Sequence, residues 1–155
     1  SLNDAVQASL RLIGTQLASR KIELHLALDE ALPDVEGHPR QMEQVLINLL
    51  ANGRDAVEGQ AEKKIWIATY KRDGQAVLEV RDSGCGIEAA DVARVFDPFF
   101  TTKGAEQGTG LGLSISHAIV REHGGEIRCE SRAGAGAVFR VELPLGSDLS
   151  EGVDR

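Results

Sequence analysis

Two hairpin signals limit what this chain can fold into more than any other feature. Asp73-Gly74 separates residues 63–71 from residues 75–82, and both runs alternate apolar and polar positions at period two. An Asp-Gly pair between such runs is a strong mark of a two-residue turn. Ala133-Gly134-Ala135-Gly136 separates residues 125–132 from 137–143 in the same manner. Strands joined by tight turns run antiparallel, so the sheet that holds them cannot be purely parallel. A further period-two run, KIELHLAL at residues 21–28, predicts another strand. Helical spacing fills the intervals. Val6, Leu10, Ile13 and Leu17 share a face over residues 4–18. Met42, Val45, Leu46, Leu49, Leu50 and Val57 do so over residues 39–58, where Pro39 suits the first turn. A third helix is predicted over 109–123, closed by Gly124-Gly125. Residues 83–108 are irregular, with a short helix at 88–94. The reading is an α/β fold, a two-layer sandwich with three main helices on one face of a mixed sheet of about five strands.

A length of 155 residues suits one domain with one core. We expect it to occupy residues 1–145, with 146–155 a polar, disordered tail. No apolar run approaches the ~18–20 residues that span a bilayer, and no signal segment opens the sequence. The domain is therefore expected to be cytoplasmic, without membrane contact, whatever anchors its parent. A net charge of −7 argues against nucleic acid as a partner, although local cations and backbone amides can still hold a triphosphate. Cys85 and Cys129 lack metal-ligand spacing and read as free thiols.

Four segments carry chemistry. Asn48, Asn52 and Asp55 fall on one polar strip beside the apolar face of the 39–58 helix. Amide oxygens there suit Mg²⁺; a solvated helix edge is the plain alternative. Asp82 ends a strand on the face of Leu78 and Val80, towards the core, where a carboxylate needs a donor. The exocyclic amine of adenine is one candidate, and Gly84 and Gly86 would let a flat base approach the backbone. Gly108, Gly110 and Gly112 open a helix whose free amides favour phosphate. No strand immediately precedes them, and no GK[ST] follows, so neither a dinucleotide fingerprint nor a P-loop fits. Lys103 ends an aromatic-rich stretch, FDPFFTTK, where its ammonium can reach a terminal phosphate or stand as an ordinary surface lysine.

In order and spacing, these segments resemble the ATP-binding catalytic domain of sensor histidine kinases, within the superfamily of gyrase, heat-shock chaperones and mismatch-repair ATPases. QVLINLLANGRDA resembles its N box, DSGCGI its G1 box, FDPFFTTK its F box and GTGLGLSI its G2 box; GAGAVFRVELP resembles its closing strand. The resemblance implies a Bergerat-type fold with a flexible ATP lid over residues 96–108. It implies ATP and Mg²⁺ as cofactors, with Asn52 the metal ligand and Asn48 beside the phosphates. Asp82 would take the adenine amine, Gly84 and Gly86 would shape the base pocket, and Asp55 and Ile87 would also bind the nucleotide. Phe99, Thr101, Thr102 and Lys103 would belong to the lid, with Lys103 on the γ-phosphate. Gly108, Thr109, Gly110, Leu111, Gly112 and Leu113 would line the phosphates. Three positions depart from the pattern. Gly53 stands where Ala is usual, His38 where an Asp often caps the helix, and neither Ala137 nor Val138 carries the usual hydroxyl.

Asn48 also stands where gyrase-like ATPases have a glutamate base. An amide cannot take a proton from water, so hydrolysis should be poor and lysine-assisted phosphoryl transfer favoured. The implied catalytic pair is Lys103 and Asn48. None of His25, His38, His117 and His123 lies in the H-E-x-x-x-P pattern of a phosphoacceptor helix, and all four read as structural or surface residues. The expected acceptor is a histidine on a separate dimerisation domain, with a response regulator downstream, and the chain reads as one domain of a longer protein. The alternatives are a stand-alone serine kinase of the anti-sigma type and a non-catalytic nucleotide-binding module.

Overall fold

The computed structural model describes residues 1–98, 112–131 and 133–145. Its elements are α1 (Leu2–Ser19), β1 (Glu23–Leu28), α2 (Pro39–Ala56), β2 (Lys64–Arg72), β3 (Gln75–Asp82), α3 (Ala89–Val92), α4 (Gly112–Glu122), β4 (Glu126–Ser131) and β5 (Ala137–Pro144). The strands form one sheet in the order β1-β2-β3-β5-β4. Only β1 and β2 pair in parallel; the other three pairings are antiparallel. The parallel pair is the one whose connection contains a helix, α2. Both predicted hairpins are present. Asp73 and Gly74 have φ of 53° and 76°, the left-handed pair that a two-residue turn needs to match strand twist.

Strand alternation divides the sheet into two unlike faces. Ile65, Ile67 and Thr69 of β2 lie opposite Asp82, Val80 and Leu78 of β3, and β5 continues the row with Ala137, Phe139 and Val141. All nine are buried under the helices. Against them pack Val45, Leu46, Leu49 and Leu50 of α2, Val6, Ile13 and Leu17 of α1, and Val120 of α4. The opposite face is uncovered and charged, with Arg140 paired to Glu79 and Glu130, and Arg128 to Glu126 and Glu142. Three helices on one face of a five-stranded mixed sheet is the predicted architecture.

Boundaries moved for local reasons. The first strand begins at Glu23, because Lys21 takes a left-handed φ of 60° after α1 and Ile22 turns into the core. The second helix stops at Ala56, with Val57 buried as its cap. No helix among the described residues is long and apolar enough to cross a membrane.

Candidate nucleotide site

Asp82 closes β3 with its side chain on the helix-covered face, only 4% exposed. Gly84 N–H donates to its Oδ1 at 2.8 Å. Burial pushes its carboxyl up from 3.8 to about 6, while the N–H groups of Gly84 and Ala137 pull it down. Two amides are thus too few to offset desolvation, and the group is short of donors. That is the condition in which a carboxylate gains most from an amine. Cys129 lies close enough for the Asp82 charge to act on its thiol. Burial first, then Asp82 and Glu130, push that thiol up to about 12, which leaves it protonated and inert. Both cysteines are free.

The glycines next to Asp82 are each required by the local backbone. A Cβ on Gly84 would lie 2.5 Å from the carbonyl oxygen of Ala56 and 2.7 Å from its Cβ. Gly84 is therefore demanded by the end of α2, onto which the loop is also tied by Cys85 N–H donating to Ala56 O at 3.1 Å. Gly86 takes a left-handed φ of 74°, so it is needed for the turn itself. Gly136 is the tightest of all, because a Cβ there would run into the carbonyl of Asp82. Ile87 is anchored by its N–H on Ser131 Oγ at 2.7 Å and packs partly into the core.

On α2, Asn48, Asn52 and Asp55 are all half-buried, which fits a strip at the rim of the covered face. Gly53, one residue after Asn52, rests over the sheet; a Cβ on it would lie 3.6 Å from Cβ of Asp82. The Asp82 carboxylate and the amide strip of α2 therefore border one region. Asp55 accepts from Arg54 Nε at 3.3 Å, and Arg54 also reaches Gln16 of α1 at 2.5 Å. Asn48 is bound on both sides. Its Nδ2 donates to Gly112 O at 3.0 Å and to Ser116 Oγ at 3.1 Å, and its Oδ1 accepts from Gln44 at 3.0 Å. Asn48 is a strut between α2 and the start of α4. Gly112 stands directly against its amide, and Leu113 packs partly into the core.

Sequence reading missed Ser116. It is fully buried, accepts from Asn48 and donates to Gly112 O at 2.9 Å; its only signal was a small polar residue on the inner face of a helix. His123 forms a second tie between the same helices. Its Nδ1 bonds Ile119 O at 2.8 Å, and its Nε2 accepts from His38 N–H at 3.1 Å. His38 offers α2 no side-chain cap. Gly37 completes the contact, since a Cβ there would enter the His123 ring at 2.2 Å from Cδ2. His117 lies against Phe96, and His25 stacks on Trp66. Phe99, Thr101, Thr102, Lys103, Gly108, Thr109, Gly110 and Leu111 lie outside the described residues, as does the 146–155 tail.

Residues 37–147 match the family described as histidine kinase-, DNA gyrase B-, and HSP90-like ATPase. The two-component sensor PprA of Pseudomonas aeruginosa is 40% identical over 153 residues, covering 96% of this chain and 16% of that protein. Sensor histidine kinase ZraS of Escherichia coli K12 is 37% identical over 145 residues, covering 93% of this chain and 30% of that protein. The chain thus spans less than a third of either relative. Among solved structures, the nucleotide-free catalytic domain of histidine kinase ThkA superposes with a TM-score of 0.78 at 36% identity, covering 93% of this chain and 94% of that one. Full-length ShkA in complex with AMPPNP superposes with a TM-score of 0.81 at 25% identity, covering 94% of this chain and 30% of that one.

Proposed function

This chain belongs to the histidine kinase-, DNA gyrase B-, and HSP90-like ATPase family and is a catalytic domain of the sensor histidine kinase type; we propose that it passes the γ-phosphoryl group of ATP to a histidine on a dimerisation domain elsewhere in a two-component sensor. A response regulator would then take the phosphate from that histidine. Because ATP is its substrate, we place the domain in the cytoplasm.

The observation that carries this reading is the donor-poor, buried carboxylate of Asp82 beside the amide strip of α2. An adenine amine supplies the donor that Asp82 lacks, and the oxygen of Asn52 suits Mg²⁺, which keeps waters and phosphate oxygens as its other ligands. When bound, Mg-ATP supplies the electrophilic phosphoryl group. The protein holds the base at Asp82, keeps α2 and α4 at fixed spacing through Asn48, and offers the amides at Gly108, Gly110 and Gly112 to the phosphates. Lys103 neutralises charge at the γ-phosphate. Asn48 is an amide already engaged with α4, so the site has no general base there to activate water, and the phosphate waits for the imidazole of the partner domain.

Calorimetric titration of the domain with ADP and Mg²⁺ tests the reading, beside phosphorylation of a separately supplied acceptor domain. Asp82→Ala should weaken ADP at least tenfold, a loss of ~1.4 kcal/mol or more. Lys103→Ala should leave ADP binding near normal and depress phosphoryl transfer. Equal ADP affinity for wild type and Asp82→Ala would overturn the assignment, and so would rapid ATP hydrolysis by the domain alone.

A further inference from the structure

The uncovered face of the sheet carries a cleft of about 800 Å³. Asp82, Ser83, Gly136 and Ala137 help line it, but alternation along β3 turns the Asp82 side chain to the helix-covered face. Its floor is one cross-strand row. Trp66 of β2 pairs with Arg81 of β3, Arg81 with Val138 of β5, and Val138 with Glu130 of β4. Ala89 and Val92 of α3 form part of its wall. Trp66, Val92 and Val138 are half-buried, whereas Arg81 is exposed.

The arginines on this face differ in one respect. Arg72 pairs with Glu142 at 3.8 Å, Arg128 with Glu126 and Glu142, and Arg140 with Glu79 and Glu130. The Arg81 guanidinium makes no ion pair or hydrogen bond among the described residues. It stands instead between an indole and an isopropyl group. The domain is acidic as a whole, at −7, so an unpaired guanidinium in an amphipathic cleft is a local exception in its field. An incoming acidic chain is repelled by most of the surface and drawn to this spot. At the far end of the row Glu130 is occupied by Arg140 and repels a second carboxylate, which gives the site a direction.

We propose that this cleft docks a peptide segment of a partner protein in which a glutamate or aspartate stands next to an aliphatic or aromatic residue. The carboxylate bonds Arg81, with two-pronged geometry available to the guanidinium, and the apolar neighbour covers Trp66 and Val138. The cleft is open along the sheet rather than enclosed, which suits a continuous chain better than a small buried molecule. Its volume falls within the ~300–1,000 Å³ of ligand-holding clefts.

Trp66 is the only tryptophan in the chain and lines this cleft, so its fluorescence reports on occupancy there. The probes are blocked tetrapeptides carrying Glu-Leu, Glu-Phe or Asp-Ile pairs, with Gln and Asn counterparts as controls and free benzoate as a small anion. Acidic peptides should give a saturable change. The neutral counterparts, and Arg81→Gln titrated with the acidic peptides, should each bind about tenfold more weakly, in keeping with loss of one partly solvated charge pair. Calorimetric ADP affinity should be unchanged in Arg81→Gln, which keeps this outcome separate from the nucleotide reading. No saturable change with any peptide would overturn the proposal. So would equal binding by Arg81→Gln, or benzoate binding as tightly as the peptides.

Discussion

Replacing Asp82 by asparagine keeps the shape of the side chain and removes its charge, which isolates the electrostatic strain at the end of β3. Burial raises this carboxyl from 3.8 to about 6. A group whose folded-state value is raised binds its proton more tightly in the folded domain than in the unfolded chain. Its stabilising contribution is therefore complete below 3.8 and is lost as the pH climbs through about 6. A shift of ~2 units at ~1.4 kcal/mol each makes the ionised state ~3 kcal/mol less favourable than the neutral one. For a domain of this size that is roughly 6–12 °C in melting temperature. Asparagine does not ionise. The melting temperature of wild type minus that of Asp82→Asn should thus fall across this window by that amount, whatever constant offset the amide introduces. Differential scanning calorimetry in a pH series measures it directly. Nucleotide supplies a second readout: ADP affinity of the wild type should strengthen as the carboxyl ionises, because a carboxylate is the better acceptor for an amine, and that of Asp82→Asn should stay flat. Parallel melting curves for the two proteins over the whole series would refute the reasoning.

Gly84→Ala should destabilise the domain by ~2 kcal/mol, since the added carbon meets the backbone of Ala56, which cannot move aside as a side chain can; urea unfolding checks this, and a loss below ~0.5 kcal/mol would contradict the packing argument. Gly37→Ala should cost ~1–3 kcal/mol by striking the His123 ring, and His123→Ala in the same chain should remove most of that cost. Simple additivity in the double-mutant cycle would disprove the coupling.

Local chemistry made the elements legible, and distance hid much of the rest. The Asp73-Gly74 turn could be read because its left-handed backbone is a property of two adjacent residues. The inward aim of Asp82 followed from alternation along β3, which needs no partner strand. The packing demand on Gly84 could not be read, because the atoms that exclude a Cβ belong to Ala56, at the end of another element. Asn48 shows the same limit in reverse. Its helical face was predictable, but its hydrogen bonds to Gly112 and Ser116 join residues more than 60 apart in sequence. The parallel pairing of β1 with β2 likewise depends on how the chain returns after α2. The remaining expected site residues rest on the ordered motifs alone, with Lys103, Gly108 and Gly110 among those outside the described residues.

The two ties between α2 and α4 bear on the thermodynamics of binding. Asn48 holds the start of α4, and His123 holds its end against the start of α2. Two fixed points remove both sliding and splaying between the helices. The loss of freedom needed to gather α2 and α4 around one ligand is therefore incurred when the chain folds, not when the ligand arrives. A ligand meeting helices already held in place keeps more of its contact energy as affinity, which is the advantage of preorganisation over induced assembly.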